Sequence, residues 1–97
     1  MTNREVANAF AKGISASTTN LWTNGAKIFS YSTLMAQRLP NGTIIVNACK
    51  YSNTTSHHQS YIRAALEAKG EKFTEVGKGN YIPFGTYDLT SYLKKAA

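Results

Sequence analysis

Between Glu5 and Glu67 the chain contains no aspartate or glutamate. Chemistry that needs two carboxylates is therefore excluded from residues 6 to 66, and Glu67, Glu71 and Glu75 are spaced like a solvated surface, so glycosidase-type acid and base work finds no support. Cysteine is almost missing: Cys49 stands alone, which rules out an internal disulfide. It sits in an apolar run with Ile44, Ile45, Val46 and Ala48, and reads as a small packed hydrophobe in a reducing cytoplasm. Histidine occurs only as His57 and His58. Neighbours on a helix point about 100° apart, so the two imidazoles do not share a metal ion, and no metal or cofactor is expected. No run approaches the roughly 18 apolar residues of a membrane span. The segment Met1 to Ala11 is polar and amphipathic, without the apolar centre of a secretory leader. The glycine patterns G-x-x-x-x-G-K and G-x-G-x-x-G are absent, and Gly77-Lys78-Gly79-Asn80 is too short to be either.

What is present is a chain of 97 residues, 42% hydrophobic and 16% charged, which fits one globular domain over 1-97. Its net charge of +6 is regional, because the acid-free stretch holds Lys12, Lys27, Arg38, Lys50 and Arg63 while the remaining charges nearly cancel. A field of this sign favours phosphate backbones, anionic membranes and acidic protein surfaces. The five cations lie 11 to 15 residues apart, so only folding can gather them.

Periodicity predicts an α+β fold: a small antiparallel meander of three to five strands with two or three helices packed on one face. Val6, Ala9 and Phe10 give a helix over 3 to 12, capped by Thr2 or Asn3 and stopped by Gly13. The Ser- and Thr-rich stretch 14 to 20 reads as a loop. Asn24-Gly25 turns a hairpin between Leu21 to Thr23 and Lys27 to Ser32. A strand over Thr33 to Leu39 would set Leu34, Ala36 and Arg38 on one face and Met35, Gln37 and Leu39 on the other. Pro40-Asn41-Gly42 leads to the β-branched strand Thr43 to Lys50. The stretch 51 to 70 is helical, with Ser56 and Gln59 spaced as a capping box and Gly70 as its stop. Lys72 to Val76 is a short strand, Tyr81 to Phe84 is extended and broken by Pro83, and Asp88 to Lys95 forms a closing helix.

Two groups of side chains carry potential chemistry. Tyr51, Ser52, Asn53, Thr54, Thr55, Ser56, His57, His58 and Gln59 crowd a helix start, where they either cap the helix or help free backbone N–H groups to hold an anion. Six tyrosines and Trp22 form the second group, with Tyr31, Tyr51, Tyr81 and Tyr87 near turns or strand ends. Such rings beside cations stack on bases or anchor a protein interface, although the aromatic signature of RNA-recognition modules is absent. Cys49 with His57 or His58 is the sharpest enzymatic arrangement, and no local motif supports it.

The segments Ser30-Tyr31-Ser32, Asn41-Gly42-Thr43-Ile44-Ile45-Val46-Asn47 and Tyr51 to Gln59 together resemble a group of small phage and prophage proteins of unassigned function. The resemblance implies a bacteriophage or mobile-element setting in the cytoplasm of a bacterial host. Non-enzymatic proteins from that setting often occupy a surface on a defence complex, as anti-CRISPR proteins do. The implied partner is an acidic protein surface or a ribonucleoprotein of such a complex, with nucleic acid as the alternative and no membrane. The chain itself would be a monomer or homodimer. The expected contact surface comprises Lys27, Tyr31, Arg38, Lys50, Tyr51, Ser52, Thr54, Thr55, Ser56, His57, His58, Gln59 and Arg63.

Overall fold

In the computed structural model, which describes residues 1–93, Thr2 opens the first helix, α1 (Asn3–Lys12). Its hydroxyl accepts from the Glu5 N–H at 3.2 Å and the Glu5 carboxylate accepts from the Thr2 N–H at 2.7 Å, a reciprocal capping box. Gly13, at φ 76°, closes the helix in the left-handed conformation. Then follow β1 (Ser15–Ser17), β2 (Leu21–Asn24), β3 (Lys27–Ser30), β4 (Thr33–Arg38), β5 (Ile44–Asn47), α2 (Asn53–Ala68) and β6 (Thr74–Val76), and a 3-10 turn at Thr90–Tyr92.

The class is α+β, and the sheet is larger and less uniform than the pattern predicts. Six strands lie in sequence order, antiparallel from β1 to β5, with β6 added parallel to β5. A parallel neighbour requires a crossover, and α2 supplies it. The extra strand at the opposite edge is β1, where the Ser- and Thr-rich composition suggests a loop. Pairing with β2, not intrinsic propensity, makes it a strand, with Ala16 opposite Thr23.

Three local departures have identifiable causes. The first hairpin turns one residue later than Asn24-Gly25, because the Asn24 amide oxygen accepts from Ala26 N–H (3.0 Å) and Lys27 N–H (2.8 Å) while Asn24 stays in β2. A bulge between β3 and β4 aligns Ile28 with Ala36 but Phe29 with Leu34. It breaks the strict alternation of β4: Met35 and Ala36 join the same core, and Leu34 joins the other. The second helix starts earlier than a Ser56-Gln59 box would place it. Ser52 is the cap, its hydroxyl accepting from the Thr55 N–H at 3.2 Å, and Gln59 is buried for another purpose.

Two cores sandwich the sheet. Both helices pack on one face, where Val6, Phe10, Ile62 and Leu66 meet Leu21, Ile28, Met35, Ile44 and Val46. The other face is covered by the irregular strap of residues 77 to 93, whose Ile82 and Leu89 are fully buried against Phe29, Leu34, Ile45 and Val76. Of the closing helix expected over 88 to 95 the described residues show the 3-10 turn at Thr90–Tyr92 and a helical Leu93, and Lys94 and Lys95 lie outside them.

Arg38 joins the layers. One guanidinium nitrogen donates to Gly25 C=O at 2.6 Å, and the other donates to Phe10 C=O and Ala11 C=O at 3.0 and 3.2 Å. It thus adds a charged donor to carbonyls at the C-terminus of α1, where Phe10 C=O also accepts from Gly13 N–H at 2.9 Å, and lies 5.0 Å above the Phe10 ring. Arg38→Ala should lower stability by about 2 to 3 kcal/mol in urea unfolding, the cost of leaving these carbonyls without their charged donor. Arg38→Lys should recover only part of that, since an ammonium cannot fork across three acceptors.

Candidate functional site

The β3–β4 turn, the end of β5, the start of α2 and the strap converge at one end of the sheet. They enclose a groove of about 430 Å³ lined by Tyr31, Ser32, Thr33, Lys50, Tyr51, Ser52, Thr55, Tyr81 and Phe84. No carboxylate lines it. Tyr51 forms its floor, with the Tyr81 ring edge-on at 5.9 Å and the Phe84 ring stacked at 5.7 Å.

Position and strain build this groove. Tyr51 donates its phenol proton to Ile82 C=O and accepts from the Asn47 side-chain amide at 3.0 Å, so burial pushes the phenol pKa up and keeps it a neutral anchor. On the opposite side Tyr31 sits at φ 56°, the one non-glycine residue with positive φ among the described residues. A left-handed bulky residue costs on the order of 1 kcal/mol, and Tyr31 N–H donating to Asn20 C=O at 2.8 Å holds it there. Its ring is more than half exposed, as are those of Tyr81 and Phe84. The exposed rings continue across the strap-covered side of the sheet, where Trp22 stacks on Phe29 at 4.3 Å and Tyr87 lies 5.8 Å from Phe29.

The structure gathers some of the expected surface and disperses the rest. Tyr31, Lys50, Tyr51, Ser52 and Thr55 meet in the groove. Thr54 and His57 are exposed on the first turns of α2, outside the groove lining. Ser56, Gln59 and Arg63 line a neighbouring depression that shares Lys50 with the groove. That depression is slightly larger, at about 460 Å³, yet its cations are offset by Glu75, 3.9 Å from Arg63 and 3.7 Å from Lys78. The aromatic groove differs from it in that its rings are exposed and no acid lines it. Lys27 is engaged elsewhere, donating to Tyr87 C=O and lying 3.8 Å over the Tyr87 ring. Arg38 is committed to α1. The five cations of the acid-free stretch therefore do not share one face. Ser32, Thr33, Tyr81 and Phe84 complete the groove without belonging to the expected surface. Tyr81 announces itself only as a ring near a turn, and its approach to Tyr51 is a non-local contact that no local pattern encodes.

Ser30, His58 and Asn3 form a buried chain that looks like a nucleophile with its base. The Ser30 hydroxyl lies 2.6 Å from His58 Nδ1, and His58 Nε2 lies 3.2 Å from Asn3 Nδ2. Asn3, itself half-buried, has its amide oxygen 2.6 Å from the Thr18 hydroxyl. Ser30 and His58 are both buried, so the pair meets no surface from which a substrate could approach the hydroxyl. The Cys49 thiol is also buried, its hydrogen bond running to Lys50 C=O at 4.0 Å and not to an imidazole. Among the described residues no three His, Cys, Asp or Glu side chains are grouped as metal ligands, and no helix is long and apolar enough to cross a membrane.

Comparison with known proteins gives one match. Residues 3–81 match a family described as a family of unknown function (DUF8033). No curated protein and no solved structure matches the chain significantly.

The His58 network carries a pH signature. Burial, with His57 adjacent, lowers the His58 pKa from its ordinary 6.5, so below that value the unfolded chain binds a proton that the folded chain refuses. This contribution is complete above 6.5 and is lost as pH falls toward the folded pKa. Urea midpoints should decline from about pH 7 to about pH 5, above the carboxylate range, and His58→Gln should flatten that decline.

Proposed function

The chain belongs to the DUF8033 family of unknown function, and we propose that it acts by binding, as a non-catalytic protein that covers a surface on a larger complex with its aromatic groove. The observation that carries this reading is the cluster of Tyr31, Tyr81 and Phe84, more than half exposed around Tyr51 and Lys50 with no acid among them. Large rings left in water beside a cation are the composition of an interface anchor, and an acidic, apolar-rimmed protein surface complements it. The burial of Ser30 and of Cys49 supports a role without covalent chemistry.

The setting rests on the resemblance to small phage and prophage proteins. It is inhibition of a defence complex in the cytoplasm of a bacterial host, in the manner of anti-CRISPR proteins, through a protein or ribonucleoprotein surface. Direct nucleic-acid binding ranks second. It draws on the rings and Lys50, but strong phosphate binding takes several free cations on one face, and Arg38, Arg63 and Lys27 are already engaged.

A pull-down from bacterial lysate, with and without nuclease, tests this directly. One protein or ribonucleoprotein partner should survive nuclease and moderate salt, and a Tyr81→Ala/Phe84→Ala variant should lose about 2 kcal/mol or more of affinity for it. Retention that vanishes with nuclease and falls steeply with salt would establish the nucleic-acid reading instead.

A further inference from the structure

Lys50 gives the groove a direction. Its side chain lines both the aromatic groove and the neighbouring depression, so it stands where the two meet, while Tyr81 and Phe84 line the groove alone. The cation thus marks the end nearer the depression, and those two rings mark the stretch away from it. Beyond Lys50 the depression already holds a carboxylate of the chain itself: Glu75 lies 3.9 Å from Arg63 and 3.7 Å from Lys78. Lys50 is exposed and, among the described residues, has no acid partner.

Size and charge define what fits. A volume of about 430 Å³ is that of a small-ligand pocket, whereas a broad protein interface takes on the order of 800 Å² from each partner. The occupant is therefore a few side chains. Tyr31, Tyr81 and Phe84, each more than half exposed, leave water when a large apolar side chain seats among them. No carboxylate lines the groove, so an acid carried by the occupant meets Lys50 without a competitor there. Glu75 repels further acids past that point, which confines the favourable charge to the acid next to the apolar residue. A nucleic-acid strand gains affinity with each phosphate that a cation neutralises, and a single lysine gives it little.

We infer that the groove binds a short acidic and apolar segment of its protein partner, with a large apolar side chain packed among Tyr31, Tyr81 and Phe84 and a neighbouring aspartate or glutamate on Lys50. This rests on the reading of the groove as a protein-binding surface. It adds that a short segment, detached from the partner's fold, is enough, with the rings supplying affinity and Lys50 the choice of charge.

Selection of a displayed random-peptide library against the full chain tests it. Enriched peptides should carry Asp or Glu close to a large apolar residue. Lys50→Glu should weaken synthetic versions of them on the order of tenfold, and a fresh selection on that variant should favour basic residues instead. Lys72→Glu makes the same charge change at an exposed lysine beyond the opposite end of the β5–β6 pair, and should leave peptide binding unchanged. Should Lys50→Glu fail to fold, Lys50→Gln removes the charge without reversing it and should still weaken binding severalfold. Enrichment without acids would overturn the inference, as would binding that the Lys50 variants leave intact or that Lys72→Glu weakens equally. If acids are not enriched while the pull-down yields a nuclease-resistant partner that depends on Tyr81 and Phe84, this inference fails alone and the protein-binding reading stands. Displacement of the peptides by single-stranded oligothymidylate, with capture lost to nuclease, would overturn both.

Discussion

A pair of buried amides, Asn47 and Gln59, holds the strands, the second helix and the strap in one arrangement. Gln59 donates to Asn47 C=O and Cys49 C=O at 2.7 and 2.9 Å, closing peptide groups that β5 leaves open where its pairing ends. Asn47 donates to Leu34 C=O in β4 and to the Tyr51 phenol, and its oxygen accepts from Cys49 N–H at 2.8 Å. Tyr51 then reaches Ile82 in the strap. Without these side chains the carbonyls beyond β5 would be buried and unpaired, at a cost of about 1 to 3 kcal/mol each. Among the described residues no buried side-chain nitrogen or oxygen is left without a partner. The groove floor is thus the last link of a structural chain, which is why an otherwise exposed aromatic surface can be held in a fixed shape.

The cations of the acid-free stretch illustrate how composition and geometry diverge. Carbonyl oxygens take the place of absent carboxylates: Arg38 binds three of them, and Lys27 binds one together with a ring. Arg63 finds Glu75 across the gap between α2 and β6. Lys50 remains exposed at the groove and Lys12 at the end of α1, so of the charge that the sequence spreads over sixty residues one lysine stands among the rings.

Much of the frame is legible in the sequence because it is written locally. The Thr2–Glu5 box, the Gly13 stop, the β-branched run of β5 and the apolar stripe of α2 each follow from a few adjacent residues. What is hidden depends on distant partners. β1 becomes a strand only because β2 lies beside it, and β6 is parallel only because α2 carries the chain across the sheet. The bulge at Met35 arises between two strands, neither of which is irregular in its own pattern. One side of the groove, with Tyr51, Ser52 and Thr55, is legible as the polar entrance to α2. The other side, Tyr81 and Phe84, lies in a segment that Pro83 and three nearby glycines mark only as irregular.

That division of the groove has a thermodynamic consequence. The meander side rests on continuous ladders, whereas the strap is fastened by Tyr51 to Ile82, by Gln37 to Asp88 and the Leu89 N–H, and by the burial of Ile82 and Leu89. A segment held by few ladder bonds opens at a lower free energy than the laddered strands. In that partly open state Tyr31 and Lys50 keep their places while Tyr81 and Phe84 leave, and one wall of the groove persists without the other.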